Sequence, residues 1–219
     1  MSSAGARRQQ IVDRIAAAAS LARREADEVT LIAVSKTRTV EEIDELIAAG
    51  QRDFGESQVQ EALAKWPPIL DRHRDVRLHC IGRLQSNKAG DAVQLFDSIH
   101  SVDRPSLLKA LVKEAEKADR FPSVYVQVNI GDEPQKGGCA IDEAGEMVAA
   151  VHESPLQLVG LMAIPPLGLE PSPFFALLAK LARTHDVTGL SMGMSADYRS
   201  AVMLGATAVR VGTALFEDD

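Results

Sequence analysis

The hydrophobic pattern changes period repeatedly along the chain. Short apolar runs stand at residues 31–37, 76–82, 98–102, 124–130, 158–164, 188–192 and 208–211, with a weaker one at 52–54. Such runs, rich in Val, Ile and Leu and bounded by polar residues, read as strands buried on both faces. Between them apolar residues recur at helical spacing, as in Val40, Ile43, Leu46, Ile47 and again in Leu107, Leu108, Leu111, Val112, Ala115. Thr39 and Glu42 fit a capping box, Asp103 is placed to cap the helix after the fourth strand, and Pro67-Pro68 and Gly205 read as stops. Eight strands, seven intervening helices and a final helical turn predict an α/β fold, a single (β/α)8 TIM-like barrel. Ahead of it, Ile11, Ile15, Ala18 and Ala22 predict an extra amphipathic helix within residues 1–28 that packs on the barrel. Five arginines among the alanines there resemble a transit peptide, but Asp13, Glu25, Asp27 and Glu28 interrupt the positive charge. No linker is evident, so residues 1–219 are expected to form one domain.

Composition narrows the function. A net charge of −7 and only 4% aromatic residues argue against nucleic acid or an anionic membrane as main partner. No apolar run approaches a membrane span. Cys80 and Cys139 lack metal or CxxC spacing and read as thiols of a reducing compartment. A cytoplasmic monomer is expected.

The candidate chemistry lies at strand ends, where barrels of this kind carry it. Lys36 follows the first strand; burial would lower its pKa, and a neutral amine condenses with an aldehyde. The plainer alternative is a lysine paired with a carboxylate. After the seventh strand comes Ser191-Met192-Gly193-Met194-Ser195, and after the eighth Arg210-Val211-Gly212-Thr213. Gly212 allows close backbone approach, and Ser195 and Thr213 offer hydroxyls beside helix starts, a setting suited to phosphate. Together with Lys36 these loops describe a site for a phosphorylated aldehyde. Arg210 is either a buried ion-pair partner or, with a pKa above about 12, a residue that keeps a facing pyridine nitrogen unprotonated.

Val34-Ser35-Lys36-Thr37, Phe54-Gly55-Glu56, residues 79–88 (HCIGRLQSNK), Gly160-Leu161-Met162-Ala163-Ile164 and the two loops above resemble the motifs of the pyridoxal phosphate homeostasis proteins. The resemblance runs from about Leu31 to Phe216 and implies a barrel similar to the N-terminal domain of alanine racemase. It implies that Lys36 carries pyridoxal 5′-phosphate (PLP) as a Schiff base, that Ser195, Gly212 and Thr213 hold its phosphate, and that Arg210 lies at the ring nitrogen or near the phosphate. It also implies PLP-dependent apo-enzymes as recipients. Two positions depart from the pattern: Ser57 replaces an asparagine and Glu217 a glycine, with Asp218-Asp219 following.

Two other functions fit a strand-end lysine. A PLP-dependent amino-acid racemase needs a second base, and neither Tyr125 nor Tyr198 has an obvious position for it; alanine racemases supply theirs from a further β-domain, whereas this sequence stops six residues after Thr213. A cofactor-free aldolase needs charged neighbours at adjacent strand ends, which strands two to six supply sparsely. His79 and His100 read as hydrogen-bonded core residues. Lys88 and Arg83 read as a solvated turn or an anion attractor, Lys136-Gly137-Gly138 as a flexible loop over the site, and Met192 and Met194 as packing beneath a ring. Glu41, Glu42, Asp44 and Glu45 read as a solvated helix face, with no metal site expected.

Overall fold

The computed structural model describes residues 3–217. Eight parallel strands close a barrel in sequence order: β1 (Thr30–Val34), β2 (Asp53–Glu56), β3 (Arg77–Cys80), β4 (Ser98–Val102), β5 (Ser123–Gln127), β6 (Leu158–Met162), β7 (Gly189–Met194) and β8 (Ala208–Val211). The barrel closes by pairing β8 with β1, in a register that sets Ile32 against Arg210 and Ala33 against Val211. The (β/α)8 expectation therefore holds, although β5 and β6 end earlier than their apolar runs do.

The helices are α1 (Ala4–Leu21), α2 (Val40–Ala48), α3 (Val59–Lys65), α4 (Pro67–Arg72), α5 (Ala89–Leu95), α6 (Pro105–Ala118), α7 (Ala144–His152), α8 (Ser172–Thr184), α9 (Tyr198–Met203) and α10 (Thr213–Phe216). In α2 the capping box forms in both directions: the Thr39 N–H donates to Glu42 Oε2 at 2.8 Å, and the Glu42 N–H to Thr39 Oγ1 at 3.3 Å. Two local expectations need correction. Pro67-Pro68 stops α3 but also opens α4, because proline at a first helical position forfeits only an N–H that has no partner anyway. Asp103 does not cap α6; the helix starts at Pro105, and the Asp103 carboxylate instead takes the Gly138 N–H at 3.2 Å.

The apolar core lies between the sheet and the helices, with Phe54, Trp66, Phe96 and Phe175 fully buried. α1 buries Ile11, Ile15, Ala18 and Ala19, packing against α2, α9 and α10. Arg24 Nη1 extends this contact by donating to the carbonyls of Val202 and Ala206 at 3.0 and 2.9 Å. Among the described residues no helix is long and apolar enough to cross a membrane.

Candidate functional site

β7, β8 and β1 are neighbours in the closed barrel, so their carboxyl ends form one arc of its rim. Lys36, Ser195, Gly212 and Thr213 all lie on that arc. The Gly212 N–H donates to Ser195 Oγ at 3.2 Å, joining the loops after β7 and β8. A Cβ built on Gly212 would sit 3.5 Å from Val34 Cβ, which brings the same loop against the end of β1. Thr213 opens α10, whose first N–H groups have no intrahelical acceptor. Gly193 takes φ +94°, and a Cβ there would come within 2.5 Å of Ala201 Cβ; glycine lets α9 pack directly on the end of β7.

Lys36 differs from the expectation of a buried amine: its side chain is exposed, because β1 ends at Val34 and Lys36 stands beyond the rim. Its amine has no hydrogen-bond or ion-pair partner among the described residues, although its carbonyl accepts from Thr37 Oγ1 at 2.6 Å. The neighbouring lysine takes the available carboxylates: Lys65 Nζ lies 2.9 Å from Glu56 Oε1 and 3.3 Å from Glu61 Oε1, and donates to the Ser35 carbonyl at 2.8 Å. Pairing of Lys36 with a carboxylate is thereby excluded.

The backbone that presents Lys36 is held on both sides. Ser35 Oγ donates to Glu56 Oε1 at 2.8 Å, and Trp66 Nε1 donates to the same oxygen at 2.8 Å. Thr37 adopts φ +62°, a costly conformation for a β-branched residue, and its N–H donates to Glu61 Oε1 at 2.6 Å. Glu56, Glu61 and Lys65 were not singled out from sequence. The Phe54-Gly55-Glu56 motif was the available signal, since a glutamate at a buried strand end requires partners.

Arg210 is 3% exposed and lies inside the barrel. Its Nη1 donates to Ser191 Oγ at 2.6 Å and its Nη2 to the Ala163 carbonyl at 3.1 Å. Burial brings its pKa down to about 10, lower than the sequence alone implies, against the opposing pull of Asp197 and Tyr125. The guanidinium is still charged near neutral pH.

His79 and His100 are buried and hydrogen-bonded, as expected of core histidines. Tyr125 stacks on His100 with ring centroids 4.2 Å apart, and burial pushes its phenol up to about 12. Tyr198, the first residue of α9, is buried. Met192 is buried, whereas Met194 is 40% exposed. The loop at Lys136 is tied down: Lys136 Nζ donates to the Pro165 carbonyl at 2.9 Å and pairs with Glu133 at 2.6 Å, and Gln127 Nε2 donates to the Gly137 carbonyl at 3.0 Å. With Ser57, Arg83 and Gln127 it lines a cavity of about 270 Å³. Glu217 reaches nearer the site than its place in the sequence suggests, since it pairs with Arg38 two residues after Lys36. Asp218 and Asp219 lie outside the described residues. Burial pushes both cysteine thiols up to about 12 and keeps them unreactive. No His, Cys, Asp and Glu grouping fit for a metal occurs among the described residues.

The model of the alanine racemase N-terminal domain matches residues 10–219. The pyridoxal phosphate homeostasis protein of Escherichia coli K12 is 40% identical over 218 residues, covering 94% of this chain and 93% of its own. The chain belongs to the pyridoxal phosphate homeostasis protein family. A second member, from Synechocystis, is 40% identical over 200 residues, covering 87% of this chain and 91% of its own. Another family member, PipY of Synechococcus elongatus, solved with PLP bound, is 41% identical with a TM-score of 0.80, covering 94% of this chain and 99% of that one.

Proposed function

We propose that this chain binds PLP on the rim arc of β7, β8 and β1 and serves PLP homeostasis, retaining the cofactor without efficient turnover of amino acids. The observation that carries this reading is an exposed, unpaired Lys36 beside a Ser195–Gly212 link on adjacent strand ends. When bound, PLP supplies an aldehyde that condenses with an amine and a phosphate that accepts hydrogen bonds. The donor set fits both. Lys36 is the amine, oriented by the Glu56, Glu61 and Lys65 clamp. Ser195 Oγ, the backbone of Gly212 and Thr213, and the Thr213 hydroxyl would hold the phosphate.

Arg210, charged near neutral pH, would lie at the ring nitrogen and would donate a hydrogen bond to it rather than give it a proton. A pyridine left unprotonated is a poor electron sink, which restrains carbanion chemistry. Neither tyrosine is free to act as a second base, since Tyr125 is stacked on His100 and Tyr198 is buried. The names of the Escherichia coli and Synechocystis relatives and the PLP-bound PipY structure support the same reading. The chain acts in the cytoplasm as a monomer, with PLP-dependent apo-enzymes as recipients. Transfer of PLP from the loaded chain to an apo-enzyme, compared with free PLP at equal concentration, tests the homeostatic role; identical time courses would reject it.

A further inference from the structure

A chain of hydrogen bonds crosses the barrel interior. Asp53, the first residue of β2, accepts at Oδ1 from His79 Nε2 at 2.9 Å. His79 Nδ1 lies 3.0 Å from His100 Nε2, and His100 Nδ1 lies 2.8 Å from Ser191 Oγ. Ser191 Oγ accepts from Arg210, which also holds the carbonyl of Ala163 just past β6. β4 and β7 are not neighbours in the barrel, so the His100–Ser191 bond spans its lumen. The chain thus runs from the amino end of β2 to the buried guanidinium bonded to the Ala163 carbonyl, just past β6.

Its donor direction is fixed by elimination. Burial pushes the Asp53 carboxyl up, but hydrogen bonds from His79 and Arg77, with their charges, outweigh this and hold it below the usual range. Ionised Asp53 can only accept, so His79 carries its proton on Nε2. The free Nδ1 of a neutral His79 must then accept from His100 Nε2–H, and His100 Nδ1 must accept from Ser191 O–H. Every link donates from Arg210 toward Asp53. His100 is fully buried, and burial and the nearby His79 and Arg210 depress its pKa and keep it neutral.

We propose that His79, His100 and Ser191 are positioning residues that form a one-proton switch, through which protonation at the amino end of the barrel resets the hydrogen bonding of Arg210. When the histidine pair takes one proton from water, His79 carries protons on both nitrogens and donates from Nδ1 to His100 Nε2. His100 stays neutral by holding its single proton on Nδ1, and now donates to Ser191 Oγ. The Ser191 O–H turns out of the chain, and its oxygen is shared between His100 and Arg210. The new positive charge also repels the guanidinium. A cavity of about 290 Å³ lined by Asp53 and Arg77 opens at the amino end and gives solvent a route to the pair. The charged and titratable groups facing the pair are Asp53 from β2, Arg77 on that carboxylate, Tyr125 from β5, and Arg210 from β8, with Asp197 acting on Arg210.

The consequence for a bound ring rests on the PLP reading above; the switch itself does not. The test is ¹⁵N NMR of the histidines in the full, cofactor-free chain between pH 8 and pH 5, beside the absorbance of the PLP-loaded chain over the same range. At pH 8 both histidines are expected as Nε2–H tautomers, and on acidification His100 changes to Nδ1–H in the same step in which the pair gains its proton. Asp53→Asn removes the facing carboxylate and is expected to lower that midpoint. The absorbance midpoint should move with it, although Asp53 lies at the opposite end of the barrel. Ser191→Ala should keep the histidine step and uncouple the absorbance from it. Independent titration of the two histidines, or an Nδ1–H His100 at pH 8, would overturn the switch. An absorbance profile in Asp53→Asn that stays put while the histidine step moves would overturn its link to Arg210. Absence of any PLP binding would reject the functional reading, and the NMR result would still decide the switch.

Discussion

At the scale of single residues, the site depends on which cation is left free. Ser35 and Thr37, the neighbours of Lys36, bond Glu56 and Glu61, and Lys65 engages both glutamates, leaving the Lys36 amine unpaired among the described residues. On the side proposed for the phosphate, the N–H groups at the start of α10 and the hydroxyls of Ser195 and Thr213 are short-range donors. Hydrogen bonds to a charged acceptor contribute about 1.5–3 kcal/mol each. Pyridoxal, which has the aldehyde without the phosphate, should therefore bind at least about tenfold more weakly than PLP. Titration of both vitamers by absorbance measures this, and equal affinities would mean that the Ser195 and Gly212 loops do not hold a phosphate. Ser195, Gly212 and Thr213 could be named from the sequence only in combination, since small residues after strands are common in any barrel; the Gly212 N–H to Ser195 Oγ bond joins their two loops. The exposure of Lys36 was not legible in the sequence, because it depends on β1 ending two residues earlier, a matter of register against β2 and β8.

At the scale of elements, the strand order and most helix boundaries follow from period changes in the apolar pattern, and α2 follows from its cap residues alone. What the pattern did not carry was contact between elements. Glu56 ends β2, yet its partners come from the residue just past β1 (Ser35), α3 (Lys65) and the α3–α4 junction (Trp66). Removing one partner of a buried charge pair typically costs about 3–5 kcal/mol. Glu56→Ala is thus expected to lower stability by about 3 kcal/mol and to weaken PLP retention, since it frees Ser35 and leaves Lys65 without its buried partner. Denaturant unfolding and PLP release from the same preparation check both effects. Unchanged retention would separate the clamp from the presentation of Lys36. Asp103 shows the opposite failure: its spacing before a helix suggested a cap, but Pro105 began the helix and left the carboxylate to bind the Gly138 N–H.

For the whole molecule, a barrel interior that holds two histidines, an aspartate and an arginine makes stability depend on pH. The pKa of His100 is depressed in the folded chain, whereas in the unfolded chain it lies near 6.5. Below about pH 6.5 the unfolded chain therefore binds a proton that folded His100 does not. This contribution to stability is complete above that pH and falls by up to about 1.4 kcal/mol per pH unit beneath it. His100→Gln should flatten the slope of unfolding free energy between about pH 6.5 and 5; an unchanged slope would show that His100 does not stay neutral on folding. Asp53 acts in the same sense at lower pH, its contribution being present above its unfolded value near 3.9 and lost as pH falls through its lower folded value.

The central claim is that Lys36 is the amine that takes PLP, and chemical trapping tests it most directly. The full chain is loaded with PLP, reduced with borohydride, digested and mapped by mass spectrometry. The predicted result is a pyridoxyl adduct on Lys36, absent in Lys36→Ala, whose far-ultraviolet circular dichroism is unchanged because the exposed side chain makes no contact that the fold needs. An adduct on Lys88, Lys136 or Lys65 in place of Lys36 would contradict the account.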